Sequence, residues 1–353
     1  MRSIFIGSTG GDPGQTLTTW ALASKLQGKG LKVGFFKPYG LLPDMGRSIE
    51  GSLCDFDALL LKEVLGLSDP VDAICPVMVT EDFIPEVSGK QGQQFTQKIK
   101  SAFQEISIGK DVVLVMGAKE IFFGGGLSGL SDSDLVKMFD ATVLLVDHYQ
   151  RDNLTLYSLL SLNSFLDGRV KSAILNHVPP EKMEHVKAKV IPFLEEKGLK
   201  AVVAIPESPV LAALTVFTIA QLIDGQILCC PELDGNLIKT FTIGSKKLEG
   251  SLSIFRQVYN KIILIGLGPT DDKEGDVKGI ILTGGKIPGE VVLRMAQERS
   301  IPLILTQADT FQTMEKLERA RPSLGIKDGF KVRHFLEFID RGMGTSRWEE
   351  ALL

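Results

Sequence analysis

Ser3-Ile4-Phe5-Ile6-Gly7-Ser8-Thr9-Gly10-Gly11-Asp12-Pro13-Gly14-Gln15-Thr16 is the stretch that decides the fold. Residues 4–6 are a short apolar run of the kind found in a buried strand. A helical spacing of Leu17, Trp20, Ala21, Leu22, Ala23 and Leu26 follows the glycines. Strand, glycine loop and helix in that order are the context of a phosphate-binding loop. Glycine lets backbone N–H groups approach a phosphate, and the helix N-terminus adds partial positive charge. The usual loop ends Gly-Lys-Ser/Thr, with the lysine on the outer phosphates. Here the ending is Gly14-Gln15-Thr16. The cradle is kept and its cation is replaced by a neutral amide. An ordinary strand–turn–helix unit that binds nothing is the alternative.

Outward from this stretch, strand and helix signals alternate. Strands are expected at 32–36, 111–116, 141–146, 170–175 and 201–205, and helices at 57–65, 95–106, 135–139, 154–165 and 184–197. Near-continuous apolar strands alternating with helices argue an α/β fold with a parallel sheet covered on both faces. Ligands of such sheets sit beyond the carboxyl ends of the strands. Residues 7–16, Lys37, Gly117, Asp147 and Asn176 fall there. A second, smaller α/β domain is expected from helix 210–223, strand 226–230, helix 246–255, strands 261–266 and 279–282, helix 291–299, strand 302–305 and helix 310–319. An amphipathic helix over 331–341 carries Val332, Phe335, Leu336, Phe338 and Ile339 on its apolar side. The tail after Gly342 is expected to be mobile. The expected domains are thus 1–207, 208–328 and a C-terminal helix and tail over 329–353.

At 353 residues, with 44% hydrophobic and 23% charged residues, the chain has ample core for two domains. A net charge of −4 and the absence of any long basic run give no footprint for nucleic acid. No apolar run reaches membrane-spanning length. The glycine loop begins by residue 7, so no signal peptide is expected. Cys54, Cys75, Cys229 and Cys230 lack zinc-ligand spacing and read as reduced thiols of a cytoplasmic protein. No Ser-His-Asp or Cys-His order supports nucleophilic catalysis, and Gly126-Leu127-Ser128-Gly129 has the wrong spacing for a nucleophile elbow.

The motifs, taken in order, resemble two known families. The first half resembles dethiobiotin synthetase, a P-loop protein that uses ATP to close a cyclic urea with carbon dioxide. The second half resembles a DRTGG domain. The tandem looks like the N-terminal regulatory region of long bacterial phosphotransacetylases. The resemblance implies that Gly14-Gln15-Thr16 stands for Gly-Lys-Thr, with Gly10 and Gly11 in the loop. It implies that Lys37 of Lys37-Pro38 serves substrate and phosphate, and is the catalytic residue if the chain is active. Asp57 of Asp57-Ala58-Leu59 and the Thr16 hydroxyl would be the magnesium ligands. Met116 of Val115-Met116-Gly117-Ala118 replaces the family's metal-binding glutamate, and Glu120 could stand in for it. Asn176 of Leu175-Asn176-His177-Val178 would read adenine, with Pro206 of Ile205-Pro206 closing over the base. In the second half, Leu282-Thr283-Gly284-Gly285 and Asp309-Thr310 match family segments, but Pro269-Thr270-Asp271-Asp272 stands where Asp-Arg-Thr is expected.

The residues themselves leave alternatives open. Lys37 reads equally as a solvated lysine before a proline turn, Asp57 as a helix-start residue that suits the dipole, and Asn176 as a strand-ending turn residue. His148 beside Asp147 ends a strand and reads more readily as structural. Gly124-Gly125-Gly126 reads as a loop over the site or as a turn. Phosphoryl chemistry is mostly charge neutralisation, and Gln15 and Met116 each remove a charge. The expected function is therefore a nucleotide-binding-like regulatory or scaffolding protein with a degenerate P-loop and little or no turnover. An ATP- and magnesium-dependent ligase and a structural module with an empty pocket are the alternatives. Phosphotransacetylase activity is not expected, because the chain ends where that family's catalytic half begins. Expected ligands are ATP or ADP, held weakly, or another phosphate-bearing small molecule, with little need of magnesium. A protein partner or a second copy of the chain is the other expected partner; nucleic acid and membrane are not.

Overall fold

The computed structural model describes residues 1–10, 14–42, 46–49, 52–80, 90–117, 121, 130–243, 262–266, 277–318 and 324–353. The expected helix 246–255, Gly11, Glu120, Gly124-Gly125-Gly126 and Pro269-Thr270-Asp271-Asp272 lie outside them. The chain divides into two compact units, one of residues 1–207 with 329–353, the other of residues 208–328.

The first unit is built on six parallel strands: β1 (Arg2–Ser8), β2 (Val33–Phe36), β3 (Val112–Met116), β4 (Thr142–His148), β5 (Val170–Val178) and β6 (Ala201–Pro206), in the order β6-β5-β4-β1-β3-β2. Ile4, Phe5 and Ile6 are fully buried, as are Val113, Leu114 and Val115 beside them. A strand apolar on both faces needs cover on both, which is why these runs are continuous rather than alternating. Strand order reverses at β1. The chain leaves it for β2 on one flank, and β4 to β6 follow on the other. The carboxyl end of β1 is therefore the switch point where doubly wound sheets hold ligands.

Helix α1 (Gln15–Gly28) follows β1 and buries Leu17, Trp20, Ala21, Leu22, Ala23 and Leu26. Helix α2 (Phe56–Val64) is capped by Asp55, whose side chain accepts from the Ala58 N–H. Two short ribbons not foreseen in the sequence lead into it: Tyr39–Leu42 beside Val77–Thr80, and Gly46–Ile49 beside Ser52–Asp55. Helix α3 (Asp132–Met138) starts with a capping box between Ser131 and Asp134, and helix α4 (Asp152–Phe165) follows β4. The helix expected over 184–197 contains a π turn at Val186–Val190. Pro192 has no N–H to give to Ala188, and the turn before it widens.

The C-terminus corrects one expectation. Gly329–Met343 is the amphipathic helix, with Val332, Phe335 and Ile339 buried. The segment after Gly342 is a second helix, Thr345–Leu352, and not a mobile tail. Trp348 is fully buried, Arg347 pairs with Glu195 at 2.7 Å, and Lys29 pairs with Glu349. Both helices belong to the first unit.

The second unit has a mixed five-stranded sheet: β7 (Gln226–Cys229), β8 (Thr240–Ile243), β9 (Ile262–Gly266), β10 (Val277–Leu282) and β11 (Leu303–Leu305), in the order β7-β11-β10-β9-β8. Only β10 and β11 pair in parallel among these neighbours. Ile280 and Leu282 pack on one face of the sheet and Ile281 on the other, as the two-residue period of a strand requires. The helix expected over 210–223 is broken. Leu214–Thr215 pairs with Leu237–Ile238, and Thr215 then caps a new helix, Val216–Leu222, by accepting from the Thr218 N–H. Among the described residues, no helix is long and apolar enough to cross a membrane.

Candidate functional site

The loop after β1 delivers its residues to the switch point. Gly14 has φ +95°, in the left-handed region, and is the cap of α1. A Cβ there would also fall 2.8 Å from Asn176 Nδ2. Glycine thus serves both the turn and the close approach of β5's end to the loop. The first N–H groups of α1, beginning at Gln15 and Thr16, have no intrahelical acceptors by their position, and a helix N-terminus of this kind is suited to an anion.

The side chain at the loop's lysine position faces the sheet. Gln15 is buried, and its Nε2 donates to Ile6 O at 2.6 Å and to Gly117 O at 3.3 Å. It ties the carboxyl ends of β1 and β3 together where a lysine would have carried charge. Met116, 3% exposed, sits beside Ile6 in register and places a thioether at the carboxyl end of β3.

The ionised groups nearby are closed on one another. Lys37 Nζ lies 2.6 Å from Asp57 Oδ2 and 2.9 Å from Asp55 Oδ1. Thr16 Oγ1 donates to Asp57 Oδ1 at 2.9 Å. All three charged residues are buried. Burial alone would lower the Lys37 ammonium; the Asp57 and Asp55 charges outweigh it and hold it well above the usual lysine range. Burial raises the Asp55 carboxyl, against the pull of Lys37. Magnesium does not fit this donor set as arranged. Asp57 and Thr16 are bonded to each other, Asp57 is bonded to an ammonium, and the neighbouring Met116 offers a soft thioether rather than an oxygen. Among the described residues, no group of three or more His, Cys, Asp or Glu is placed to hold a metal ion.

The other flank carries the residues expected to meet a base. Asn176 is buried at the end of β5, its Oδ1 accepting from the His177 N–H at 2.9 Å. Pro206 ends β6 across a register shift opposite Val178. Asp147, at the end of β4, accepts from Thr9 Oγ1 at 2.5 Å and from Thr155 Oγ1 at 2.8 Å, so it binds the glycine loop to α4. His148 and His177 stack with ring centroids 4.6 Å apart. His177 has φ +59°, and burial, then His148, lowers its imidazole below the usual range. Tyr149 gives its hydroxyl to Asp152 at 2.6 Å, and His185 meets the same carboxylate at 2.7 Å. The Tyr149 hydroxyl lowers the Asp152 carboxyl, and burial pushes Tyr149 up to about 12.

The structure brings Gln15, Thr16, Lys37 and Asp57 together on one side of the glycine loop and Asn176 against the loop itself; Asp55 and Asp132 were not singled out in the sequence, and the stacking of His148, read there as structural, on His177 was not foreseen. Asp55 carries a signal: Asp55-Phe56-Asp57-Ala58 places an N-cap residue two before Asp57. Asp132 is fully buried, and it adds to the burial that raises the Tyr39 hydroxyl.

Residues 2–215 match the AAA_26 family model, described as an AAA domain, and residues 218–320 match the DRTGG domain. A phosphate acetyltransferase of Pseudomonas putida is 24% identical over 375 residues, covering 96% of this chain and 50% of that protein. One from a Synechocystis species is 21% identical over 359 residues, with the same coverage of 96% and 50%. An ATP-dependent dethiobiotin synthetase BioD of Thermodesulfovibrio yellowstonii is 26% identical over 226 residues, covering 60% of this chain and 88% of that protein. The chain spans about half the length of the phosphate acetyltransferases it matches. The tandem read from the sequence, a dethiobiotin synthetase-like P-loop domain followed by a DRTGG domain, is the one these matches give.

Proposed function

This chain belongs to the AAA_26 family of AAA domains, and from that premise we propose that it is a nucleotide-binding protein of regulatory or scaffolding type, with little or no turnover. The observation that carries the reading is the closed ion cluster: the Lys37 ammonium is held by Asp55 and Asp57 while Gln15 is bonded to strand carbonyls. Phosphoryl transfer needs cations on the outer phosphates. At this edge the loop lysine is an amide, the family's metal-binding glutamate is a methionine, and the remaining lysine is neutralised by protein carboxylates.

What supports binding is the cradle. The Gly14 turn, the first N–H groups of α1 and Asn176 against the loop are suited to an anion and an adjoining base. A purine nucleotide, ATP or ADP, is the ligand of choice, held by backbone donors and by its base. Neutral hydrogen bonds are roughly half as strong as charge-assisted ones, so the affinity is weak. A protein partner or a second copy of the chain is the expected recipient of the signal.

The competing reading, a ligase of the dethiobiotin synthetase class, has Lys37, Thr16 and Asp57 in its favour. It is tested with purified chain, ATP, magnesium, carbon dioxide and the diamino acid substrate. Losing one electrostatic group commonly costs on the order of a hundredfold or more in rate, so ring closure is expected to be absent or at least that much below an ordinary enzymatic rate. Ring closure at an ordinary rate would overturn the regulatory reading.

A further inference from the structure

We propose that the Lys37 ammonium is the resident cation of a two-carboxylate site formed by Asp55 and Asp57, and that Asp55 is the residue that keeps it there, so that the wild-type chain takes no divalent cation at this position. The inference deepens the reading above by saying why the site does without a metal. Its test needs no nucleotide, so the two stand or fall separately.

Two buried carboxylates, within hydrogen-bond distance of one ammonium, are what a hard divalent cation also seeks. Nζ stands 2.6 and 2.9 Å from one oxygen of each. A magnesium ion needs ligand oxygens at about 2.0–2.1 Å in a near-octahedral set, so it cannot share the position with Nζ.

Asp55 is fixed from two sides. Its Oδ1 also accepts from the Ala58 N–H at 3.1 Å as the cap of α2. Behind it, a Cβ at Gly40 would fall 2.6 Å from Asp55 Cβ and 2.9 Å from its Oδ2. The close approach of the Gly40 backbone to Asp55 therefore depends on glycine having no side chain. Lys37 is anchored through its backbone, its N–H donating to Ile74 O at 2.9 Å. Asp57 receives the Thr16 hydroxyl, which joins the cluster to the first turn of α1. A lysine held by Asp57 alone would face one countercharge; the second carboxylate, supplied by the cap of α2, makes the cluster net negative and fixes the ammonium in it.

The test uses Mn²⁺ alone as the probe, read by loss of the free aqueous signal in electron paramagnetic resonance, with the full chain in three forms: wild type, Lys37→Met, and Lys37→Met with Asp55→Asn. The second change keeps a capping side chain, since Asn and Asp cap about equally well. The proposal expects Lys37→Met to bind one Mn²⁺ at least about tenfold more tightly than wild type, and the double variant to lose that gain. Wild type binding Mn²⁺ as tightly as Lys37→Met, or a folded Lys37→Met that binds none, overturns it. Should Lys37→Met be unfolded without metal, Mn²⁺ is expected to restore its melting transition. Failure to restore it also overturns the proposal.

Discussion

The two flanks of the glycine loop stand on one sheet edge and handle polarity in opposite ways. On the β2 side, charge is internal: an ammonium and two carboxylates are buried and bonded to one another, with Thr16 drawn in. On the β4–β5 side, the buried carboxylate Asp147 is served by hydroxyls, and the histidines stack on each other. The first flank is where a P-loop enzyme places its phosphate-neutralising cations; the second is where it reads a base. The difference teaches that one sheet edge can bury ionised groups on one flank and hydroxyl-bonded and stacked groups on the other; under the proposed reading, the first flank has turned inward the charges that a nucleotide would otherwise meet.

The largest effect that would sharpen the contrast is Lys37→Met. It leaves Asp55 and Asp57 buried without their cation, and breaking a buried pair by removing one partner costs about 3–5 kcal/mol. Urea unfolding should show a loss of that order. His148→Ala, on the exposed rim of the other flank, should stay within about 0.5 kcal/mol. Equal losses would erase the distinction.

Next is Gly40→Ala against Gly14→Ala. The first pushes a methyl into Asp55 Cβ and Met78 Sδ at 2.6 and 2.7 Å, and overpacking of this kind costs about 1–3 kcal/mol. The second meets the Asn176 amide, a side chain that can turn aside, and adds left-handed strain of roughly 1–2 kcal/mol. Thermal melts should rank Gly40→Ala at or below Gly14→Ala.

The parallel strands and the membership of the site were legible because both follow from local pattern. Continuous apolar runs fixed β1, β3 and β4, and strand ends in a doubly wound sheet point to one edge. Asp55 was not legible as a partner of Lys37. Their meeting depends on short ribbons at Tyr39–Leu42 and Ser52–Asp55 that carry weak local signals. Trp348 was hidden for a related reason. Thr345–Leu352 has only one large aromatic to bury, and its helix is justified by the surface of the first unit rather than by its own periodicity. At Leu214–Thr215 the sequence reads as helix, and pairing with Leu237–Ile238 overrides that preference.

The smallest expected effect concerns pH. Burial, with His148 second and Glu207 opposing, lowers the folded-state His177 pKa. The unfolded chain then binds the proton first as pH falls below about 6.5, so this residue's contribution is intact above that value and is lost as pH falls toward the folded pKa. His177→Asn tolerates φ +59° and should flatten stability between pH 7 and 5 in a melting series. An unchanged slope would show that His177 does not titrate as its burial requires.

Calorimetric titration of the purified chain with ATP, once with magnesium in excess and once with a chelator, tests the central claim most directly. With the cation flank closed on itself, the two affinities should be weak and should agree within about threefold, with ADP close to both. Tight ATP binding that disappears with the chelator would contradict the account, because it would require Asp57 to leave Lys37, and Thr16 to leave Asp57, to coordinate the metal.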